Sequence, residues 1–170
     1  GDYNPGGRLP LTYYKSLDDL PAFDDYDITK GRTYQYFKGD VLYPFGYGLS
    51  YTSFKYSDLK VAEDAEFVNV SFTLKNTGRR TGDEVAQVYV RLPQREGAMP
   101  AKELKGFERV TLQKGEKRNM TIKLRKDLLR YWDEGKSRFV YPSGEYEIMV
   151  GSSSADIRLD GVVTLANGVK

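Results

Sequence analysis

The chain has 170 residues, enough for one or two domains with a sizeable core, and its 39 % hydrophobic and 29 % charged residues describe a globular composition slightly poor in apolar side chains. A formal charge of +2 supplies no field that would draw nucleic acid or an acidic membrane surface, and no apolar run approaches membrane-spanning length. The absence of Cys and His excludes disulfides, thiolate nucleophiles, Cys/His zinc centres and a histidine base.

Residues 1 to about 50 show little sustained periodicity. The chain opens on Gly1-Asp2-Tyr3-Asn4-Pro5-Gly6-Gly7, a turn-rich stretch without a hydrophobic entry, and is read as a piece of a longer polypeptide. Gly6-Gly7-Arg8 is turn chemistry that could also offer backbone donors to an anion. Leu9 to Tyr14 reads as a short strand with Pro10 near its start. Leu17, Leu20, Phe23 and Tyr26 recur at helical spacing, but Pro21 interrupts them, so an irregular stretch with one helical turn is expected. Thr33 to Phe37 is a strand candidate.

Tyr43 to Thr52, Tyr-Pro-Phe-Gly-Tyr-Gly-Leu-Ser-Tyr-Thr, packs four aromatics, two glycines and a proline into ten residues. Pro44, Gly46 and Gly48 exclude a helix interior, and Tyr43, Phe45, Tyr47, Leu49 and Tyr51 offer more apolar surface than a free loop leaves in water. The expectation is a rigid connector whose aromatics pack between two domains, with the arm ahead of it docked on its own sandwich.

From residue 51 strands follow one another. Ser53 to Val61 alternates with one slip. Val68, Val70, Phe72 and Leu74 alternate cleanly, and Asn76 to Asp83 is a turn cluster. Val88, Val90 and Leu92 share one face of the next strand, opposite Gln87, Tyr89 and Arg91. Leu104 to Leu112 is broken by Gly106, and Met120, Ile122 and Leu124 form another inward face. Asp127 to Trp132 suits one helical turn capped by Asp127. Phe139 to Tyr141 is a short strand, Tyr146, Ile148 and Val150 alternate, and Ile157, Leu159 and Val163 supply the last strand. The fold class is therefore all-β: an antiparallel sandwich of seven to eight strands, fibronectin type III or immunoglobulin-like, each sheet with one solvated face, behind a long irregular N-terminal arm.

Candidate chemistry is sparse. Glu145 and Glu147 share a face ~6.6 Å apart along a strand, near the range of paired glycosidase carboxylates, yet alternate acids on an exposed strand face are ordinary solvation. Asp18, Asp19, Asp24, Asp25 and Asp27 lack the spacing of a calcium loop and read as a solvated loop. Gly46-Tyr47-Gly48 lacks the strand and helix of a phosphate loop. Tyr89, Tyr131, Trp132 and Tyr141 could stack on sugar rings, or fill the core or a domain contact. Asn69-Val70-Ser71 and Asn119-Met120-Thr121 match glycosylation acceptors. No catalytic residue, metal site or cofactor site is assigned.

Three motifs carry a resemblance: Gly1 to Pro10; Gly31-Arg32-Thr33-Tyr34-Gln35-Tyr36-Phe37 with Tyr43 to Thr52; and the run Val70 to Gly78, Gly82 to Val90 and Lys102 to Phe107. Together they resemble the C-terminal part of glycoside hydrolase family 3, of β-xylosidase or β-glucosidase type. The resemblance implies that residues 1–50 are the tail of a preceding α/β domain plus the aromatic connector, and that residues 51–170 are a fibronectin type III-like sandwich. It implies a parent that is a retaining exo-acting glycosidase with two carboxylates about 5 Å apart, both outside this chain, and no cofactor. The implied partners are the upstream catalytic domains and their oligosaccharide, and the parent is expected in the periplasm or outside the cell. The alternatives are a carbohydrate-binding module and a fibronectin-type protein-interaction domain.

Overall fold

Residues 2–93 and 97–166 are described in a computed structural model. Gly1, which opens the first motif, and the last four residues of the sandwich segment lie outside the described residues.

The arm holds β1 (Tyr13–Tyr14), a 3-10 turn (Leu17–Asp19), a single helical turn α1 (Thr33–Tyr36) and β2 (Val41–Tyr43). The sandwich follows with β3 (Phe54–Glu63), β4 (Phe67–Asn76), β5 (Gly82–Arg91), β6 (Glu103–Leu112) and β7 (Lys117–Arg125). A hairpin of β8 (Tyr131–Asp133) and β9 (Arg138–Val140) precedes β10 (Gly144–Gly151) and β11 (Ile157–Leu165). The order β3-β4-β7 faces the order β11-β10-β5-β6, both antiparallel, which is the fibronectin type III arrangement of three strands on four.

Register follows the alternation. Val68, Val70 and Phe72 lie opposite Leu124, Ile122 and Met120, while Val88 and Val90 lie opposite Val150 and Ile148, and all are buried. Each such side chain stabilises the sandwich by roughly 1.5–3 kcal/mol. The slip read in Ser53 to Val61 is a bulge between Ser57 and Lys60, with Asp58 at φ 59°. Asn76 is fully buried and fully satisfied. Its Nδ2 donates to Arg80 and Leu112 carbonyls at 2.7 and 3.0 Å, and its Oδ1 accepts from Thr52 Oγ1 and Gly78 N at 2.7 and 3.0 Å.

Four sequence expectations are corrected. Thr33–Tyr36 is a helical turn, not a strand: Tyr34 is anchored by its hydroxyl, which accepts from Leu104 N at 2.9 Å, and by ring contacts to Phe45 and Tyr89. A short aromatic run does not distinguish the two by periodicity. Of Leu9 to Tyr14 only Tyr13–Tyr14 pairs as strand. Asp127 sits inside a 3-10 turn (Lys126–Leu128) and bonds Arg125, while Tyr131 and Trp132 turn into β8 instead of continuing a helix. Finally, the outer face of β5 is not solvated. Residues Ala86 to Val90 are buried on both faces, because the arm lies over that sheet.

Candidate functional site

The arm reaches the sandwich in two passes, and the sequence explains both. In the first, Tyr3 to Leu9 runs past the start of β5. Asn4 Oδ1 accepts from Tyr51 N at 2.8 Å and Ser50 Oγ at 3.2 Å, and Tyr3 Oη accepts from Arg109 at 3.0 Å. In the second, the connector lies antiparallel to this pass: Leu9 N donates to Tyr47 O and Gly46 N to Leu9 O, each at 2.8 Å. Gly46, at φ +81°, gives its carbonyl to Gln87 Nε2 at 3.1 Å, and a Cβ there would collide with the Gln87 amide. A Cβ on Gly48 would collide with the Gly7 carbonyl. Close approach therefore requires both glycines, Gly46 for the Gln87 side chain and Gly48 for the Gly7 backbone.

Buried polar groups fasten the joint. Gln87 also donates to Ser152 O at 2.5 Å and accepts from Tyr89 Oη at 2.6 Å, and Ser154 N donates to Phe45 O at 2.9 Å. Glu84 is 3 % exposed. Its Oε2 meets Arg8 at 3.0 Å and its Oε1 accepts from Tyr56 Oη at 2.7 Å. Arg158 lies over the Tyr56 ring, 5.2 Å from its centroid, donates to Phe54 O at 2.6 Å and pairs with Asp156 at 2.7 Å.

Burial pushes the Glu84 carboxyl above its ordinary range, an effect that Tyr56, Arg8 and Arg158 reduce without reversing. The Tyr56 hydroxyl is pushed far up, first by burial and then by Glu84. Asp156 is held low, chiefly by hydrogen bonds from Arg158. Arg8, Glu84, Asp156 and Arg158 line a cavity of about 440 Å³ together with Pro44, Tyr47 and Leu49. With both Glu84 oxygens engaged, and those of Asp156 taken by Arg158 and Ser152, the cavity holds a clasp between arm and sandwich and offers no free carboxylate for acid-base work.

The connector side chains divide. Phe45 is half-buried and stacks on Tyr34 with centroids 4.4 Å apart, and Tyr47 packs on Tyr43 at 5.2 Å. Tyr43, Leu49 and Tyr51 are 42, 66 and 57 % exposed. Along the arm Leu11, Leu17, Phe23 and Tyr26 are bare as well, at 61, 84, 95 and 82 %. Tyr43 and Leu49, with Tyr47 and Leu9, line an open groove of about 500 Å³.

The remaining sequence candidates fall apart as sites. Tyr89, for which the sequence leaves sugar stacking, core filling and a domain contact all open, is fully buried, while Tyr131 and Tyr141 are half-buried and Trp132 is exposed. Glu147 is paired with Arg91 at 2.8 Å and shares a surface cleft with Glu145 and Asp160. Asp25 pairs with Lys30 at 2.8 Å, Asp27 accepts from Thr29, and Asp18 and Asp19 bond Ser16. No group of three or more His, Cys, Asp or Glu among the described residues could hold a metal ion. Asn69 and Asn119 lie on β4 and β7, Asn69 bonded to Asp64 at 2.8 Å and Asn119 to Thr73 at 3.2 Å. Sequence reasoning missed Glu84, Gln87 and Arg158. The available signal was parity, since Glu84 falls in step with the inward Ala86, Val88 and Val90.

Comparison with known proteins matches this geometry. Residues 1–51 match the glycosyl hydrolase family 3 C-terminal domain, and residues 84–154 match the fibronectin type III-like domain. This chain belongs with the C-terminal regions of family 3 glycoside hydrolases. The family 3 region here is 45 % identical over 159 residues to a xylan 1,4-beta-xylosidase of Xylanibacter ruminicola, covering 92 % of this chain and 18 % of the relative. It is 38 % identical to a probable beta-glucosidase K of Emericella nidulans, covering 97 % of this chain and 21 % of that protein. The crystal structure of a beta-glucosidase from Kluyveromyces marxianus in complex with glucose superimposes with a TM-score of 0.90 at 35 % identity, over 98 % of this chain and 22 % of that one. The family 3 region thus spans about a fifth of the length of these relatives, which are larger multidomain chains.

Proposed function

We propose that this chain acts as the non-catalytic C-terminal module of a retaining, exo-acting β-glycosidase that removes terminal β-linked xylose or glucose from oligosaccharides. In this reading residues 1–50 are the tail of the preceding α/β domain with the aromatic connector, and residues 51–170 are the bracing sandwich. Tyr43, Phe45, Tyr47, Leu49 and Tyr51 are the interdomain packing residues, Phe45 and Tyr47 on the sandwich side and the others towards the catalytic domains. The names of the relatives support the substrate class.

The observation that carries the role is an asymmetry. Part of the arm is fixed to the sandwich by buried polar bonds, while Leu11, Leu17, Phe23, Tyr26, Leu49 and Tyr51 are left bare. Large apolar side chains left bare in this number along one segment support an interaction surface, and bracing matters because catalysis tolerates little misplacement of its acids. The carbohydrate-binding alternative loses Tyr89 as a platform, since that ring is buried.

The test uses the longer polypeptide with the catalytic domains, assayed on nitrophenyl xyloside and nitrophenyl glucoside with and without residues 54–165. Deletion is expected to lower kcat/KM by about tenfold or more and to lower the melting temperature. Unchanged activity and melting after deletion would remove the bracing role.

A further inference from the structure

The β8–β9 hairpin presents an aromatic pair that the clasp does not use. Trp132 and Phe139 face each other across the hairpin, ring centroids 5.2 Å apart and edge to face, and they are 52 and 51 % exposed. The Arg130 guanidinium lies 4.5 Å above the Phe139 ring. The pair does not stand on an open sheet. It rims a cavity of about 230 Å³ whose other walls include Tyr36 from α1, Met99, and Glu103 at the start of β6.

We infer that this cavity is a subsite for a single neutral pyranose ring at the end of an oligosaccharide. Its size falls below the ~300–1,000 Å³ of drug-sized sites, which suits one ring and not a chain. Its walls combine aromatic rings, which pack on the apolar face of a sugar, with the Arg130 guanidinium and the Glu103 carboxylate, which also pairs with Lys105 at 3.3 Å. Its frame argues against a protein partner. Between residues 130 and 139 stand Arg130, Asp133, Glu134, Lys136 and Arg138, whereas the buried centre of a protein interface is depleted of charge. Asp133 and Lys136 bridge across the hairpin turn at 3.1 Å, holding the loop that carries the rings. The subsite is distinct from the clasp and does not depend on the bracing role.

Trp132 is the chain's single tryptophan, so its fluorescence reports on this cavity alone. The sandwich encloses its own core, which permits titration of the 170-residue chain with xylotetraose and cellotetraose. A saturable change in emission is expected for at least one probe, with amide shifts confined to residues 130–139 and 99–103. Arg130→Ala is expected to raise Kd about tenfold, equal to 1.4 kcal/mol. Trp132→Ala, followed by amide shifts with circular dichroism as the folding control, should abolish binding. No saturable response to either tetraose overturns the assignment, as does binding that survives both substitutions. An emission change caused by the catalytic domains alone, with none from sugar, would make the hairpin a domain contact and would also overturn it.

Discussion

Glu84 carries an electrostatic burden in the joint. It is a carboxylate placed on the inward parity of β5, beside hydrocarbon, and Arg8, Tyr56 and Arg158 keep it tolerable. A carboxyl whose folded pKa lies above its unfolded one binds more protons when folded. It therefore costs stability above its folded pKa, and that cost disappears as pH falls through this value toward the unfolded one, about 4.3. Asp83, held low first by Thr111 and then by Arg109, and Asp156, held low first by Arg158, act in the opposite sense. Their stabilisation is present above an unfolded pKa of about 3.9 and is lost as pH drops through their depressed values. The comparison of wild type with Glu84→Gln isolates the first effect. Urea midpoints at pH 7 and pH 5 should show wild type gaining on the variant as pH falls. A difference that stays constant, or that moves the other way, would mean Glu84 is not held up by burial.

At the scale of elements, the connector works because Gly46 admits the Gln87 side chain and Gly48 admits the Gly7 backbone. Gly46→Ala puts a Cβ into the Gln87 amide and keeps a residue at positive φ, so it should cost about 2–4 kcal/mol in urea unfolding. Hydrogen exchange should show the loss first at the amides of Ser154 and Leu9, which bond across this joint. Gly135→Ala, in the exposed turn after β8, is the control and should stay within about 0.5 kcal/mol. Equal effects of the two would show that the connector only lies on the surface. The strands themselves were legible: period-2 runs such as Val68 to Leu74 are set by burial of one face, which the chain records locally. Asn76 was visible only as a turn residue, because two of its four partners, Thr52 and Leu112, lie on distant segments. The choice between sugar platform and core for Tyr89 stayed open for the same reason. Its strand alternates correctly, but the arm that covers it arrives from residues 34 to 46, and no local pattern encodes that return.

For the whole molecule, the unequal fixing of the arm has a direct consequence. Between Leu11 and Ile28 the described backbone is held by one short ribbon pair, a 3-10 turn, local carboxylate turns and the Arg32 guanidinium, which donates to the Ala22 and Asp25 carbonyls, and most of its large side chains are exposed. Phe107, although 66 % exposed, lies within the ladder of β6, where the backbone is hydrogen-bonded to β5. A protease that cuts after aromatic residues should therefore separate these places. Brief chymotrypsin treatment of the 170-residue chain is expected to cut after Phe23 and Tyr26, 95 and 82 % exposed, and to leave a core containing residues 54–165. In the longer polypeptide, with the preceding domains present, the same bonds should be cut at least about tenfold more slowly, since burial of Leu17, Phe23 and Tyr26 against a neighbour would require opening before cleavage. Mass spectrometry of early products, at matched enzyme ratios, reads both outcomes. Equal rates at Phe23 in the two forms would mean that the bare side of the arm faces solvent in both. The bracing proposal would then have lost the surface it depends on, even if the clasp around Glu84 stayed intact.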